Sequence, residues 1–345
     1  MINIYDLTFN QLDEYIISIG EKSFRTKQIW RWLYIALIAD FSQMSDIKKE
    51  LIVKLEQNFY LGTLSLVTRN DASDGTTKFL FELADENLIE TVLMKQSYGF
   101  SICITTQVGC NIGCKFCASG IIKKKRDLMV SEIVEQIIKV AILEKIKISS
   151  VVVMGIGEPF DNYDNVIAAL SIINNQLGLS IGARHITVST SGIIPKIYEF
   201  AKLGIQYNLA ISLHASNDET RTKLMPINKV FPLVKLVQAI KEYIELTNRR
   251  VTIEYILIEK INDTLDDAKN LVNLLKGLNV FVNLIPYNPV LEVEFKRSTL
   301  ERRKSFFNYL SEHKIVCTLR REFGVDINAA CGQLRSQTIK QKGKL

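Results

Sequence analysis

The sequence predicts an α/β fold in which six strand-then-helix units curl into a full or partial barrel, preceded by a small helical unit and a β-hairpin region. Three observations carry this expectation. Apolar residues recur at helical spacing over positions 1–60, the period shortens to that of strands over 61–100, and from residue 101 short apolar runs alternate with helical patterns.

In the N-terminal unit, Leu12, Tyr15, Ile16 and Ile19 recur at helical spacing ahead of Gly20, and Leu51, Leu55 and Phe59 do so after Ser45, a candidate N-cap. Residues 78–83 and 88–94 read as strands, with Asp74-Gly75 as a turn. Beyond residue 101, strand-like runs at 102–106, 149–154, 185–190, 207–212, 251–258 and 280–285 each precede a helical pattern. Such alternation argues for a parallel sheet covered by helices, with the chemistry at the C-terminal ends of the strands. No internal repeat, low-complexity tract or long Pro/Gly linker interrupts the chain, so the N-terminal unit is expected to pack on the barrel. The expected division is 1–60 helical, 61–100 hairpin linker, 101–335 barrel with a C-terminal loop, and 336–345 a basic tail.

A barrel of roughly 250 residues with a small addition accounts for the length. The composition, 47% hydrophobic and 23% charged, excludes a disordered chain and leaves enough core to enclose a site. A net charge of +6 suits a polyanionic partner without requiring one. The basic run Lys340-Gln341-Lys342-Gly343-Lys344 reads as a solvated tail. The N-terminus has no basic segment followed by an apolar core, and no stretch approaches the roughly 20 apolar residues of a membrane span, so a cytoplasmic protein with no membrane partner is expected. In a reducing compartment six cysteines point to metal ligands, catalytic thiols or small core residues rather than to a disulfide framework.

Cys110, Cys114 and Cys117 follow the first barrel strand with three and then two residues between them, close enough to wrap one metal centre. Soft thiolates favour zinc or an iron–sulfur cluster. A structural zinc site needs a fourth ligand, for which His214, His185 and Cys103 are the candidates, whereas a 4Fe-4S cluster held by three cysteines leaves one iron open. Further polar positions stand at later strand ends: Gly157 and Glu158 after 150–154, Ser189 after 186–188, Ser212-Leu213-His214 after 208–211, and Asn288 after 284–287. Gly157 permits close backbone approach, and Glu158 can accept from a ligand amine. Of the remaining cysteines, Cys317 reads as a small core residue, and Cys331 lies in a small-residue stretch able to reach back over the barrel mouth. Strand alternation places Glu90 on the face opposite Ile89, Thr91 and Leu93, as a solvated carboxylate.

The cysteine spacing, Phe116 before the last cysteine and the position after the first strand together resemble the radical S-adenosylmethionine (SAM) superfamily. With Gly157-Glu158-Pro159, Ser212-Leu213-His214, Lys223-Leu224-Met225-Pro226-Ile227-Asn228 and Ala330-Cys331-Gly332-Gln333-Leu334 added, the chain from about Phe24 to Leu334 resembles the RlmN/Cfr family of radical SAM RNA methyltransferases. Pro159, Asn162-Tyr163 and Asn165-Val166 look like the branch that methylates carbon 2 of adenine rather than carbon 8. Departures are Ile156 where Met is expected and Thr105-Thr106 where Ser-Ser is expected.

The resemblance implies a radical SAM partial (βα)6 barrel with one 4Fe-4S cluster on Cys110, Cys114 and Cys117. It implies a SAM site at Gly157, Glu158, Ser189, Ser212, Leu213, His214 and Asn288, with two SAM consumed per turnover. It further implies Cys331 as a methyl carrier, Cys103 as the thiol that releases the product through a transient disulfide, and Glu90 as the base. The implied partners are 23S rRNA and tRNA, an electron donor such as flavodoxin or ferredoxin, and a thiol reductant; a monomer is expected. The cations of Lys123-Lys124-Lys125-Arg126 are expected to touch RNA phosphates. A radical SAM enzyme with another substrate, and a zinc-containing RNA-binding module, are the competing readings.

Overall fold

The computed structural model describes residues 1–290, 292–320 and 323–334; the basic tail expected at 336–345 lies outside them. The chain begins with β1 (Ile2–Asn3), α1 (Phe9–Ser18), α2 (Phe24–Arg31) and α3 (Lys49–Asn58), closed by β2 (Phe59–Tyr60), which pairs parallel to β1. Helix α1 opens on a capping box, with Gln11 N–H donating to Thr8 Oγ1 and Thr8 N–H to Gln11 Oε1. The expected cap at Ser45 is absent. Helix α3 starts instead at Lys49, because the preceding turn, closed by Ile47 N–H on the Met44 carbonyl, is used to bury Met44 and Ile47.

Next come β3 (Ser65–Asp71), β4 (Thr77–Glu82), β5 (Leu88–Gln96) and β6 (Gly99–Cys103), which pair antiparallel in succession. The Asp74-Gly75 turn is present, with Gly75 at φ +82°. After β6 a loop carries β7 (Gln107–Val108), α4 (Ala118–Ile121) and β8 (Arg126–Asp127), and then α5 (Val130–Glu144) returns the chain to β9 (Ile148–Val153). There follow α6 (Tyr163–Asn174), β10 (Ile186–Thr190), α7 (Ile194–Lys202), β11 (Asn208–Ser212), α8 (Asp218–Leu224), α9 (Leu233–Thr247) and β12 (Val251–Leu257). The last elements are α10 (Leu265–Leu275), β13 (Val280–Pro286), α11 (Leu300–Glu312) and β14 (Cys317–Leu319).

All six expected parallel strands are present, as β6 and β9 to β13, and β14 adds another beside β13. They form one open sheet in the order β14-β13-β12-β11-β10-β9-β6-β5-β4-β3, a partial barrel extended by the antiparallel strands of the 61–100 region. The first parallel strand ends at Cys103 rather than at 106. Its continuation leaves the ladder because Thr105 N–H is taken by Gln136 Oε1 (2.8 Å) and Thr106 N–H by the Ile156 carbonyl (3.0 Å). Cys317 is half-buried on the edge strand, within 3.4 Å of Ser311 Oγ, and not in the core as expected. At the other edge every residue of β3 is exposed, its register breaks between Leu66 and Thr68, and Arg69 bonds Glu144 on α5 at 2.8 Å.

The N-terminal unit shares the barrel's apolar core: Ile4, Trp30, Leu33 and Tyr34 belong to the same cluster as the α5 and α6 side chains. Buried Glu135 on α5 fastens the junction, accepting from Asn3 Nδ2 (2.6 Å) and from the Thr63 and Leu64 N–H groups (both 2.9 Å). Among the described residues no helix is long and apolar enough to cross a membrane.

Candidate active site

The cysteine loop is shaped by its backbone. Gly109 sits at φ +81°, where a Cβ would lie 2.4 Å from the Lys123 carbonyl oxygen, so glycine alone lets the loop close. Cys110 N–H then reaches the Ile122 carbonyl (3.0 Å), and Lys115 N–H the Leu224 carbonyl (2.9 Å). Phe116 meets the His214 ring edge-on at 4.9 Å. Cys110, Cys114 and Cys117 line one cavity of about 910 Å³, open to solvent, at the C-terminal ends of the parallel strands.

Burial pushes all three thiols up, Cys110 to about 12. Without a metal they stay protonated, and a bound metal would ionise them. Zinc draws its tetrahedral thiolates to within about 4 Å of one another. Among the described residues no three His, Cys, Asp or Glu side chains gather closely enough to hold a single ion. Of the candidates for a fourth zinc ligand, His185 is exposed just before β10, Cys103 lines a different cavity, and His214 Nδ1 already accepts a backbone N–H. Three soft donors around one cavity fit a cluster that takes one thiolate per iron.

The strand-end residues fall into two groups. Gly157, Glu158, Ser189, Ser212 and His214 line the cysteine cavity. Gly157 is at φ +112°, and a Cβ there would lie 2.7 Å from Gln107 Cβ. Buried Glu158 accepts from Ser191 N–H (2.7 Å) and Phe160 N–H (3.0 Å), which fix both carboxylate oxygens; burial pushes its carboxyl up, and those bonds oppose the shift. Ser189 and Ser212 face each other across β10 and β11, their hydroxyl oxygens 3.5 Å apart. His214, at φ +57°, accepts Ile256 N–H on Nδ1 (3.1 Å), so its ring proton is on Nε2; burial, with the Arg221 charge nearby, pushes it down to about 3.

Leu213 and Asn288 do not line the cysteine cavity. The Leu213 side chain is fully buried in the main apolar core, because strand alternation turns it away from the face of Ser212. Its backbone is engaged as well, its N–H with the Glu254 carbonyl (3.0 Å) and its carbonyl with Arg221 Nε (3.1 Å). Asn288 lines a second cavity, where its Nδ2 donates to the Cys331 carbonyl (3.3 Å) and its Oδ1 accepts from Arg297 (3.0 Å).

That second cavity, about 530 Å³, brings Cys103 and Cys331 together with Val92 and Met94 of β5. It shares Met154, Ile285, Arg320 and Cys331 with the first, so Cys331 stands where the two join. Burial pushes the Cys103 thiol up to about 12. Glu90 is buried, not solvated as strand alternation alone predicts. It lies on the same face of β5 as Val92 and Met94, and Lys78 Nζ is 3.3 Å from its Oε1.

Three charged residues here were not anticipated. Arg320 lines both cavities, beside Cys331, Glu254 and Cys103. Glu254 lines the first cavity, accepts from Asn283 Nδ2 (2.8 Å), and is pushed up by burial against the pull of Arg320. Arg221 is fully buried and binds the carbonyls of Ser191 (2.7 Å), Ser212 (3.3 Å) and Leu213 (3.1 Å), stapling the ends of β10 and β11. Solitary charges give no spacing signal. In the basic stretch Lys124 pairs with Asp127 and Asp161, Lys125 bonds Asn87, and Arg126 pairs with Asp85 and Glu132.

Residues 2–61 match the family described as the ribosomal RNA large subunit methyltransferase N-terminal domain, and residues 104–275 match the radical SAM superfamily. The chain is 59% identical to the probable dual-specificity RNA methyltransferase RlmN of Acholeplasma laidlawii over 97% of this chain and 99% of that one. The chain belongs to the RlmN family of radical SAM RNA methyltransferases. A second RlmN relative, from Enterococcus faecalis, is 55% identical over 99% of this chain and 98% of that one. The crystal structure of a radical SAM methyltransferase from Sphaerobacter thermophilus superposes on this RlmN-family fold with a TM-score of 0.92 at 40% identity, covering 97% and 99% of the two chains. Family membership carries the requirement for an iron–sulfur cluster and SAM, which the three-thiol cavity suits.

Proposed function

We propose that this chain methylates carbon 2 of adenine in 23S ribosomal RNA and in transfer RNA, using Cys331 as a methyl carrier. The observation that supports the reading most is the position of Cys331 at the junction of two cavities, one with three cysteines and the other with Cys103. Cys110, Cys114 and Cys117 would hold the 4Fe-4S cluster; Gly157, Glu158, Ser189, Ser212 and His214 would hold SAM. When bound, this pair supplies a methyl group and, from a second SAM, a 5′-deoxyadenosyl radical.

Carbon 2 of adenine is electrophilic and bears no acidic proton, so it cannot take a methyl group by direct displacement. The chain's residues avoid that barrier. Cys331 accepts the methyl group on sulfur, and its S-methyl carbon, after losing a hydrogen atom, bonds to carbon 2. The adduct must give up one electron, for which the oxidised iron–sulfur cluster that Cys110, Cys114 and Cys117 would hold is the one-electron acceptor, and Glu90 removes the proton of the ring carbon. The Cys103 sulfur then attacks the Cys331 sulfur; the S–S bond forms, the carbon–sulfur bond breaks, and the released carbon takes the proton given up by the Cys103 thiol. A thiol reductant restores both cysteines with two electrons, and flavodoxin or ferredoxin would reduce the cluster.

The test is product identification with anaerobically reconstituted enzyme. Nuclease digestion should release 2-methyladenosine. Cys331→Ala should form neither product nor a protein–RNA link, and Cys103→Ala should accumulate RNA bound covalently through Cys331. Finding 8-methyladenosine alone would overturn the carbon-2 assignment, and turnover by Cys331→Ala would overturn the carrier scheme.

A further inference from the structure

The segment that carries Cys331 is held in place without a strand ladder. Beyond β14 its regular structure among the described residues is one 3-10 turn, Val325–Ile327. Two sets of contacts bracket the cysteine. On the barrel side, Ala118 N–H donates to the Gly332 carbonyl (2.7 Å), Ser119 Oγ to the Leu334 carbonyl (2.9 Å), and Gln333 Nε2 to the Pro289 carbonyl (3.1 Å). On the other side the β3–β4 turn grips residues 324–328. Ser73 N–H donates to Asp326 Oδ2 (2.9 Å), Gly324 N–H to Asp74 Oδ2 (2.9 Å), and Lys78 Nζ to the Asn328 carbonyl (3.2 Å).

Lys78 differs from the other members of this clasp. It is a lysine only 7% exposed, and burying an ammonium is costly unless it is paired. In register Lys78 lies opposite Val92, and Glu90 lies opposite Leu80, so Lys78 and Glu90 are diagonal neighbours on one face of the sheet. A long side chain spans that diagonal, and Lys78 Nζ is 3.3 Å from Glu90 Oε1. One ammonium therefore touches both the carboxylate read above as the base and a carbonyl three residues before the carrier cysteine.

We propose that Lys78 is a positioning residue that ties the Glu90 carboxylate to the docked carrier segment, so that base and carrier are aligned only when residues 324–328 are seated on the β3–β4 turn. The inference rests on the roles given above to Glu90 and Cys331. Cys331 must take its methyl group in one cavity and release product in the other, and proton removal is useful only at the second stage. Through Lys78, the orientation of Glu90 follows the seating of the segment and gives proton removal its geometry. The ammonium also supplies the counter-charge that the buried carboxylate needs.

The test compares Lys78→Met, Lys78→Arg and Glu90→Gln in the anaerobically reconstituted, full-length enzyme. In protein without RNA, Lys78→Met should speed amide exchange in residues 324–331 by about tenfold or more while leaving the barrel strands unchanged. With RNA, Lys78→Met should leave methylation of Cys331 near the parental level, yet slow release of the adduct by about tenfold to a hundredfold. RNA deuterated at adenine carbon 2 should then show an isotope effect on release that the parent lacks, and Lys78→Arg should recover most of the rate. Parental exchange together with parental release in Lys78→Met would overturn the proposal, as would an equal loss of Cys331 methylation, which marks a purely structural support. If Glu90→Gln blocks release and Lys78→Met does not, only this inference fails; if Glu90→Gln itself releases product normally, the reading of Glu90 fails first.

Discussion

The cavity beside Cys110, Cys114 and Cys117 and the cavity beneath the Cys331 segment share a wall at Arg320 and Cys331 but are made differently. The first is walled by loops that follow parallel strands, and its polar groups are fixed by backbone bonds, as Glu158 is by two N–H groups and His214 by one. The second is walled by the face of β5 and β6 and by a segment outside any ladder, packed through Val92, Met94, Cys103, Ala329 and Leu334. A site that must place one small molecule the same way each time gains from rigid, preorganised walls. A site that must receive a methylated cysteine and then a nucleobase gains from a wall with fewer local restraints. If the proposed roles hold, the difference separates cofactor placement from carrier delivery, and substitutions on either side should separate in the same way.

The sharpest break is in metal content. Replacing Cys110, Cys114 or Cys117 with Ala should lower iron from about four per chain to near zero, since three ligands leave none spare. Cys331→Ala should keep its iron, and colorimetric iron analysis on anaerobically prepared protein checks both. Next in size is Arg221→Met, which strips the Ser191, Ser212 and Leu213 carbonyls of their donor. It should cost about 3 kcal/mol of stability, read as a lowered urea midpoint. Gly157→Ala should cost about 1–3 kcal/mol from its φ alone and weaken SAM binding about tenfold by calorimetry, while alkylation of Cys331 by iodoacetamide stays unchanged.

The smallest effect is a pH dependence. His214 is held down to about 3 in the folded chain and returns to near 6.5 on unfolding, so between those values the unfolded chain binds more protons and stability falls as pH drops. The parent should lose about 1 kcal/mol from this group between pH 7.5 and 5.5, and His214→Asn should flatten that part of the curve in urea titrations.

How legible each region was in the sequence follows the same division. The cysteine loop and the strand-end residues lie in contiguous motifs after periodic strands, so spacing and period located them, and all six parallel strands appear within a few residues of expectation. Glu90 was misread by alternation because that rule compares two faces of a strand and cannot know that residues 323–334 return to cover one of them. Arg221 sits among Asp218, Glu219 and Lys223, a pattern that reads as a solvated helix face; only packing against the ends of β10 and β11 buries it. Leu213 was assigned with its motif neighbours, yet a period of two turns it into the core. Asn288 was grouped by its strand-end position, and its side chain turns to the Cys331 carbonyl rather than into the cysteine cavity.

The outer strand β3 has a consequence unrelated to chemistry. A ten-stranded sheet left open at one side offers unpaired amides and carbonyls to any extended chain, and such an edge can template aggregation. Here the register break between Leu66 and Thr68 spoils the regular repeat a guest strand would copy, and the Arg69–Glu144 pair sets charge beside the next rung. These irregularities leave the outer edge of β3 a poor template for a further extended chain, whether or not the cavities of the barrel are filled.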